Sequence, residues 1–164
     1  MKKKQNTDIK DFATRLENRE ERLVAIRNQM IELSAMPNNQ ALIFPLIAEI
    51  GSILLFAFHN REVTYDQNGV IATDEYINAI RTEGADHTAT KEAFSCFIGE
   101  CLIKTYAGSW ESEDGEWYVR ITDKLSAYPA NWVSKRFENG EEDCLLGKFI
   151  SIAIVLAQRE TLNN

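Results

Sequence analysis

Two short runs of carboxylates are the residues of this sequence whose types and spacing point most directly to chemistry. Both runs lie at predicted turns, and their members are Glu111, Glu113, Asp114, Glu116, Glu141, Glu142 and Asp143. Turns are exposed, and functional contacts concentrate in them. Such carboxylates would suit the basic active site of another protein, where they would take the place of substrate phosphates. The alternative is that they only solvate two turns and place negative charge at the start of a helix.

A second group of side chains would line a cleft, and its members are Glu100, Trp110, Lys135 and Arg136. The tryptophan would stack on a ligand, and the two cations would bind a phosphate or a carboxylate. Each residue also has a purely structural alternative. In that alternative Glu100 pairs with Lys104 on a helix surface and Trp110 fills the core. The two cations then form a solvated face or an internal ion pair.

Nucleophilic catalysis and metal binding have no support in the spacing of the reactive residues. The two histidines, His59 and His87, lie at predicted element boundaries with no serine or cysteine at a motif spacing. Cys96 and Cys101 would be separated by about 140° around a helix, so they cannot hold one ion from one face. Nucleotide-binding, serine-hydrolase and zinc-protease motifs are missing as well. The sequence therefore predicts a protein that binds a partner without catalysis and without a metal or cofactor.

Charge and cysteine content indicate the environment. The chain has 18 Lys+Arg against 25 Asp+Glu, a formal net charge of −7, which argues against a nucleic-acid partner and against an anionic membrane surface. The charge permits a basic protein partner, although mild acidity also simply keeps a protein soluble. The three cysteines form an odd number, and no apolar stretch follows the basic start of the chain. Free thiols in a reducing compartment are typical of this pattern, so we expect a cytoplasmic protein.

One segment, 42–58, is apolar enough to require comparison with a membrane span. It contains Pro45, Glu49 and Gly51 and is shorter than the roughly 20 residues that a span requires. A charge near the middle of a span costs about 2.5–3.5 kcal/mol. The composition therefore favours a helix over 40–58 that is buried in the core of a soluble domain.

Residues 8–35 carry the periodicity of a long amphipathic helix, with Asp8 as its N-cap. Apolar residues recur there every seven positions, at Ile9, Leu16, Leu23 and Met30. Such a stripe either packs on the protein's own domain or forms a dimeric coiled coil. Because Arg19 interrupts the second apolar row, we expect self-packing and a monomer. Residues 1–7 would form a frayed tail.

The middle of the chain predicts two more helices after a turn. Residues 66–69 carry a turn signal between short apolar runs. A short helix over 74–81 would follow, with Thr73 or Asp74 as its cap. A longer helix over 89–106 is indicated by apolar residues spaced three and four apart.

The remaining third of the chain predicts a small antiparallel sheet between helices. The expected elements are strands over 109–113, 117–121 and 124–128 and helices over 130–138 and 143–159. Asp114-Gly115 marks a hairpin turn, Pro129 suits the first turn of a helix, and Gly140 ends that helix. The last helix is apolar on two sides, so both sides should be buried.

The predicted fold class is α+β, with about four main helices packed on a sheet made of a hairpin and one further strand. We expect a single domain over 1–164. A helical half would span 8–88, and a helix-hairpin-helix half would span 89–164.

The second half of the chain resembles an uncharacterised family of bacterial proteins over 94–143. The residues that carry the resemblance are Gly99-Glu100, Gly108, Trp110, Asp114-Gly115, Arg120, Pro129, Val133 and Lys135-Arg136-Phe137-Glu138-Asn139-Gly140. Their spacing is similar to that family's succession of helix, hairpin, proline and Lys-Arg helix. The family implies no established activity. Similar small acidic bacterial domains often act as immunity proteins or other toxin antagonists, which is an argument by analogy.

These observations predict a cytoplasmic bacterial domain that binds another protein. Its most specific form is an immunity protein that blocks a toxin, which would be a basic protein. The alternative is a small-molecule-binding or enzymatic domain that uses the cleft of Glu100, Trp110, Lys135 and Arg136.

Overall fold

A computed structural model describes residues 2–36, 39–82 and 84–162, and within these the side chains of all but 2–13, 160 and 162. In chain order the elements are α1 (Lys2–Ser34), α2 (Gln40–His59), α3 (Gln67–Ile80), α4 (Thr88–Tyr106), β1 (Ser109–Glu113), β2 (Glu116–Thr122), β3 (Leu125–Ala127), α5 (Pro129–Asn139), a 3₁₀ helix (Gly140–Asp143) and α6 (Leu145–Leu162). The class is α+β, as predicted, although the described residues form six α-helices rather than about four. Helix α2 packs between α1 and α4, and α4 packs in turn on α5 and β2.

Helix α1 uses its apolar stripe to pack on its own domain. It begins at Lys2, so residues 2–7, which we expected to form a tail, continue the helix; Met1 lies outside the described residues. Arg19 does not break the packing, because its guanidinium lies over the Phe56 ring, 3.5 Å from the centroid. The same guanidinium pairs with Glu62 at 2.6 Å. A long cationic side chain can cover apolar surface while its charged end stays paired.

Helix α2 is buried on one face only. Its buried residues are Ile47, Ala48, Gly51, Leu55 and Phe56. The helix has 20 residues and a mean hydropathy of 2.3 over its most apolar window, of which 28% is buried. By length and composition alone it could cross a membrane, while its packing between α1 and α4 is compatible with a soluble protein. The prediction of a buried core helix is therefore right for one face, since Leu42 and Phe58 remain 57% and 45% exposed.

Helix α3 is longer than predicted because the expected turn at 66–69 is its N-terminus. The Asp66 carboxylate accepts hydrogen bonds from the backbone N–H of Asn68 at 2.7 Å and of Gly69 at 3.3 Å. Asp, Asn and Gly favour both turns and helix caps, so composition alone did not separate the two. Partial burial acts to raise the pKa of Asp66, but these bonds and one from Thr64 outweigh it and hold the pKa below its usual range.

The sheet has the order β1-β2-β3 and is antiparallel throughout. Asp114 and Gly115 both have positive φ, 52° and 84°, as in a type I′ turn. The prediction of a hairpin turn at these two residues is confirmed. Register pairs Trp110 with Val119 and Ser112 with Trp117. Both tryptophans therefore belong to one face of the hairpin.

The start of α6 is held by a residue from α3. Asp74 accepts hydrogen bonds from the backbone N–H groups of Leu145 at 3.1 Å and Leu146 at 2.9 Å. The prediction that Thr73 or Asp74 caps a short helix of its own is wrong, because both lie inside α3. The prediction of two buried sides on α6 is also wrong: Phe149 is buried, whereas Ile154 is 53% exposed.

Candidate functional site: an aromatic groove beside an acidic hairpin

An apolar groove of about 370 Å³ lies where α2, α4, α5 and the β1–β2 hairpin meet. Its lining residues are Phe44, Thr88, Lys91, Glu92, Ser95, Cys96, Trp110, Trp117, Ala130 and Ser134. Ligand sites in proteins commonly have volumes of about 300–1,000 Å³, with mostly apolar walls and a few polar groups. The groove has these properties.

Three aromatic rings form one wall of the groove. The Phe44 ring centroid lies 4.6 Å from that of Trp110, with the planes tilted by 50°. It lies 4.9 Å from that of Trp117 in an edge-to-face contact. Aromatic pairs at these separations attract each other by about 0.5–1.5 kcal/mol beyond the area they bury. The wall is therefore formed before any ligand arrives.

Trp110 is fixed in place by two residues of α4. Its Nε1 donates a hydrogen bond to the Glu100 carboxylate at 3.0 Å, and Glu100 is only 8% exposed. The indole also lies directly against Gly99, where any Cβ would collide with the ring. The structure thus brings together two members of the predicted cleft, Glu100 and Trp110, with the carboxylate at the indole nitrogen.

The other two members of the predicted cleft lie elsewhere. Lys135 is exposed, and Arg136 is 3% exposed. The Arg136 Nε donates to the Asp74 carboxylate at 2.6 Å, so Arg136 forms an internal ion pair. Neither cation lines the aromatic groove. The four residues are therefore divided between the tryptophan wall, the surface and the junction of α3, α5 and α6.

The hairpin that carries Trp110 and Trp117 also places three carboxylates on the surface, at its turn. Glu113, Asp114 and Glu116 are exposed, and no ion pair of theirs is found among the described side chains. Glu113 and Glu116 are direct cross-strand partners, and like charges placed directly opposite each other destabilise a strand pair. Glu111 differs, because Arg120 pairs with it at 3.1 Å.

The second acidic run has two exposed members and one internal member. Glu141 and Glu142 are exposed in the 3₁₀ helix. Asp143 is half-buried and pairs with Lys148, and Asn139 also donates to it. The hydrogen bonds from Asn139 and Lys148 hold the pKa of Asp143 below its usual range. Asp143 therefore serves the junction between the 3₁₀ helix and α6.

Two other cavities contain charged side chains that already have hydrogen-bond partners within the chain. A polar cleft of about 610 Å³ contains Arg22, which binds both oxygens of Glu49 at 2.6 and 2.7 Å. A second cleft of about 480 Å³ contains Arg81, whose Nε and one terminal nitrogen donate to backbone carbonyls at the end of α5. Lys91 lines both this second cleft and the aromatic groove.

The cysteines do not add a reactive group to the groove. Burial raises the pKa of the Cys96 thiol to about 12, and Cys96 is 5% exposed. Burial raises the pKa of Cys101 as well. A thiol is nucleophilic only as thiolate, so Cys96 contributes an apolar surface. Among the described residues, no group of three His, Cys, Asp or Glu side chains is placed to hold a metal ion.

The sequence offered no signal for Phe44 or Lys91 as parts of this site. In the sequence Phe44 is indistinguishable from the other apolar residues of α2, and Lys91 is indistinguishable from a surface lysine. Only the packing of α2 and α4 against the hairpin brings them beside the tryptophans.

Comparisons with models of protein families, with curated proteins and with solved structures find no match for this chain.

Proposed function

We propose that this chain is a protein-binding domain and, in its specific form, a cytoplasmic bacterial immunity protein that neutralises a toxin by direct binding. The observation that carries the proposal is the exposed acidic tip of the hairpin, formed by Glu113, Asp114 and Glu116. The like-charged pair of Glu113 and Glu116 weakens the hairpin. A basic partner would relieve this repulsion, which makes the tip better suited to a complex than to the free protein.

The acidic tip would act mainly on the speed of association. Opposite charges at the rim of an interface steer the encounter, and their effect falls as salt screens them. Glu141 and Glu142 are also exposed and carry charge of the same sign, whereas Asp143 is already paired within the chain. We therefore expect the hairpin and the first two residues of the second run to contribute, and Asp143 to contribute little.

The test begins with capture of a partner from native bacterial lysate by the wild-type chain. The captured protein should be toxic when expressed alone and harmless when this chain is expressed with it. Recovery of small metabolites alone, or of a protein with no toxicity that this chain relieves, contradicts the immunity proposal.

The binding surface is tested with a hairpin variant in which Glu113 and Glu116 become Lys and Asp114 becomes Asn. Asparagine tolerates the positive φ of that position, so the turn is kept. A matched control, Glu17→Lys with Glu20→Lys and Glu21→Gln, changes the charge equally on the exposed side of α1.

At low salt the hairpin variant should bind the captured partner with an association rate at least about tenfold lower than wild type, and the gap should narrow at high salt. The control variant should differ from wild type much less. Equal association rates for the hairpin variant and wild type at both salt levels would place the contact elsewhere.

A small-molecule-binding or enzymatic domain is the second candidate function. The observation that favours it is the preformed aromatic groove of about 370 Å³. Genomic neighbourhood separates the two candidates. A toxin gene beside this gene supports immunity, and an operon of metabolic genes supports a small-molecule ligand.

A further inference from the structure

We infer that the aromatic groove binds a small molecule that combines a flat apolar ring with a single carboxylate, and that Lys91 contacts the carboxylate. This inference rests on the second candidate function, and it names the ligand class and the residue that selects it.

The ring of the ligand would lie against the aromatic wall. Trp110 is held by Glu100 and Gly99, and Phe44 contacts both tryptophans. A wall that is already ordered binds a flat ring without the entropic cost of ordering side chains. The groove offers Cys96 and Ala130 as further apolar surface.

Lys91 supplies the positive charge of the groove. It is half-buried and borders both the aromatic groove and the cleft of Arg81. Its ammonium lies 4.0 Å from the mostly exposed Glu138 carboxylate, at the limit of an ion pair, and 5.5 Å from the centroid of the Phe137 ring, and both of these partners line the cleft of Arg81. Lys91 also lies in the first turn of α4, where the helix dipole is positive. A ligand carboxylate in the groove would draw the flexible Lys91 side chain away from this weak, solvent-exposed pair by a change of rotamer.

The surrounding charges favour one negative charge on the ligand over two. Arg81, which lines the second cleft together with Lys91, already donates two hydrogen bonds to the end of α5. Asp86 accepts the Thr88 N–H at the start of α4, and Glu92 lines the groove. These carboxylates would oppose a dianionic phosphate, so a monocarboxylate fits the site better.

The experiment measures binding of three probes of the same shape by isothermal titration calorimetry. The probes are 2-naphthylacetate, its neutral amide, and the cationic 2-(2-naphthyl)ethylammonium. The acid should bind the wild-type chain about three- to tenfold more tightly than the amide, and the cation should bind weakest.

Two variants on the same helix separate the role of Lys91 from general effects. Lys91→Met keeps the length of the side chain and should make the acid bind no better than the amide. Lys104→Met is the matched control, since Lys104 lies over the Tyr65 ring outside the groove, and it should leave the preference for the acid unchanged. A third variant, Trp117→Ala, should weaken all three probes if circular dichroism shows that the fold is kept.

Three results would overturn the inference. They are no binding of the acid at millimolar concentration, equal affinity of acid and amide for the wild type, and an acid preference that survives in Lys91→Met. The hairpin charge variant should still bind the acid, because it leaves Lys91 and the wall intact. Failure of the probes thus leaves the immunity proposal standing, and failure to capture a toxin leaves this inference standing.

Discussion

Removal of the Asp74 carboxylate should destabilise this protein strongly, because that carboxylate joins three separate parts of the fold. Its two oxygens accept hydrogen bonds from Arg136 Nε at 2.6 Å and from the backbone N–H groups of Leu145 and Leu146 at 3.1 and 2.9 Å. The Cys144 thiol also donates at 3.4 Å. One carboxylate therefore joins α3, α5 and the start of α6.

The magnitude follows from what Asp74→Ala would leave behind. The Arg136 side chain is 4% exposed, and breaking a buried pair in this way costs about 3–5 kcal/mol. Loss of the cap on α6 costs about 0.5–2 kcal/mol. Because both effects act through the same carboxylate, they overlap, and we expect about 3–6 kcal/mol in total. Domains of this size are stable by about 5–15 kcal/mol, so much of the stability would be lost.

Urea unfolding followed by circular dichroism would measure this loss of free energy. In a separate thermal unfolding experiment, the melting temperature of a chain of this length should fall by about 2–4 °C for each kcal/mol, or about 6–24 °C in all. Glu75→Ala is the matched control on the neighbouring residue. Glu75 is exposed and lies 3.6 Å from His59, so its loss should cost less than about 0.5 kcal/mol.

A double variant tests the reason for the effect. Asp74→Ala with Arg136→Met removes both charges and fills the space with an apolar side chain, so it should be more stable than Asp74→Ala alone by at least about 1 kcal/mol. The reasoning is refuted if Asp74→Ala costs less than about 1 kcal/mol, or if the second change adds a further loss.

Three further predictions concern pH, thiol chemistry and the tryptophan wall. Asp66→Ala should lower the free energy of unfolding by about 0.5–2 kcal/mol at pH 7. Because the pKa of Asp66 is lowered in the folded state, this contribution is present above the unfolded value of about 3.9 and lost as the pH falls through the folded value; urea titrations from pH 7 to 2 should show the gap closing, and a constant gap contradicts the capping charge. Cys144, which is half-exposed, should be alkylated by iodoacetamide before Cys96, whose pKa is raised to about 12; peptide mapping of the folded protein that finds Cys96 modified first would show that its burial is wrong. Gly99→Ala should displace the Trp110 indole, cost about 1–3 kcal/mol and change the tryptophan fluorescence; an unchanged spectrum and stability would show that the ring is not held against α4.

Elements whose signals are local could be predicted from the sequence with nearly correct limits. The hairpin required a residue pair that tolerates positive φ, and Asp114-Gly115 is such a pair. Pro129 opens α5, and Gly140, with φ of 68°, ends it. The periodicity of α4 likewise predicted its extent within one residue. In each case the deciding interaction lies within a few residues along the chain.

The prediction of the candidate site was less complete, because its parts are distant in sequence. Glu100 and Trp110 belong to one predicted cleft and do contact each other. The same prediction places Arg136 in that cleft, yet Arg136 binds Asp74 of another helix. A cation on a short helix looks the same in sequence whether it faces a ligand or a buried carboxylate. Burial and partner choice depend on which helices pack together.

The sequence by itself determined the α+β class, the hairpin turn and the stripe by which α1 packs, because each follows from backbone sterics or from the periodicity of apolar residues. Tertiary structure alone decided that Asp74 holds the start of α6 and that Phe44 meets Trp110 and Trp117. These contacts join residues from separate helices and strands. Their free energy depends on distance and on the exclusion of water in the folded state, and the spacing of residues along the chain specifies neither quantity.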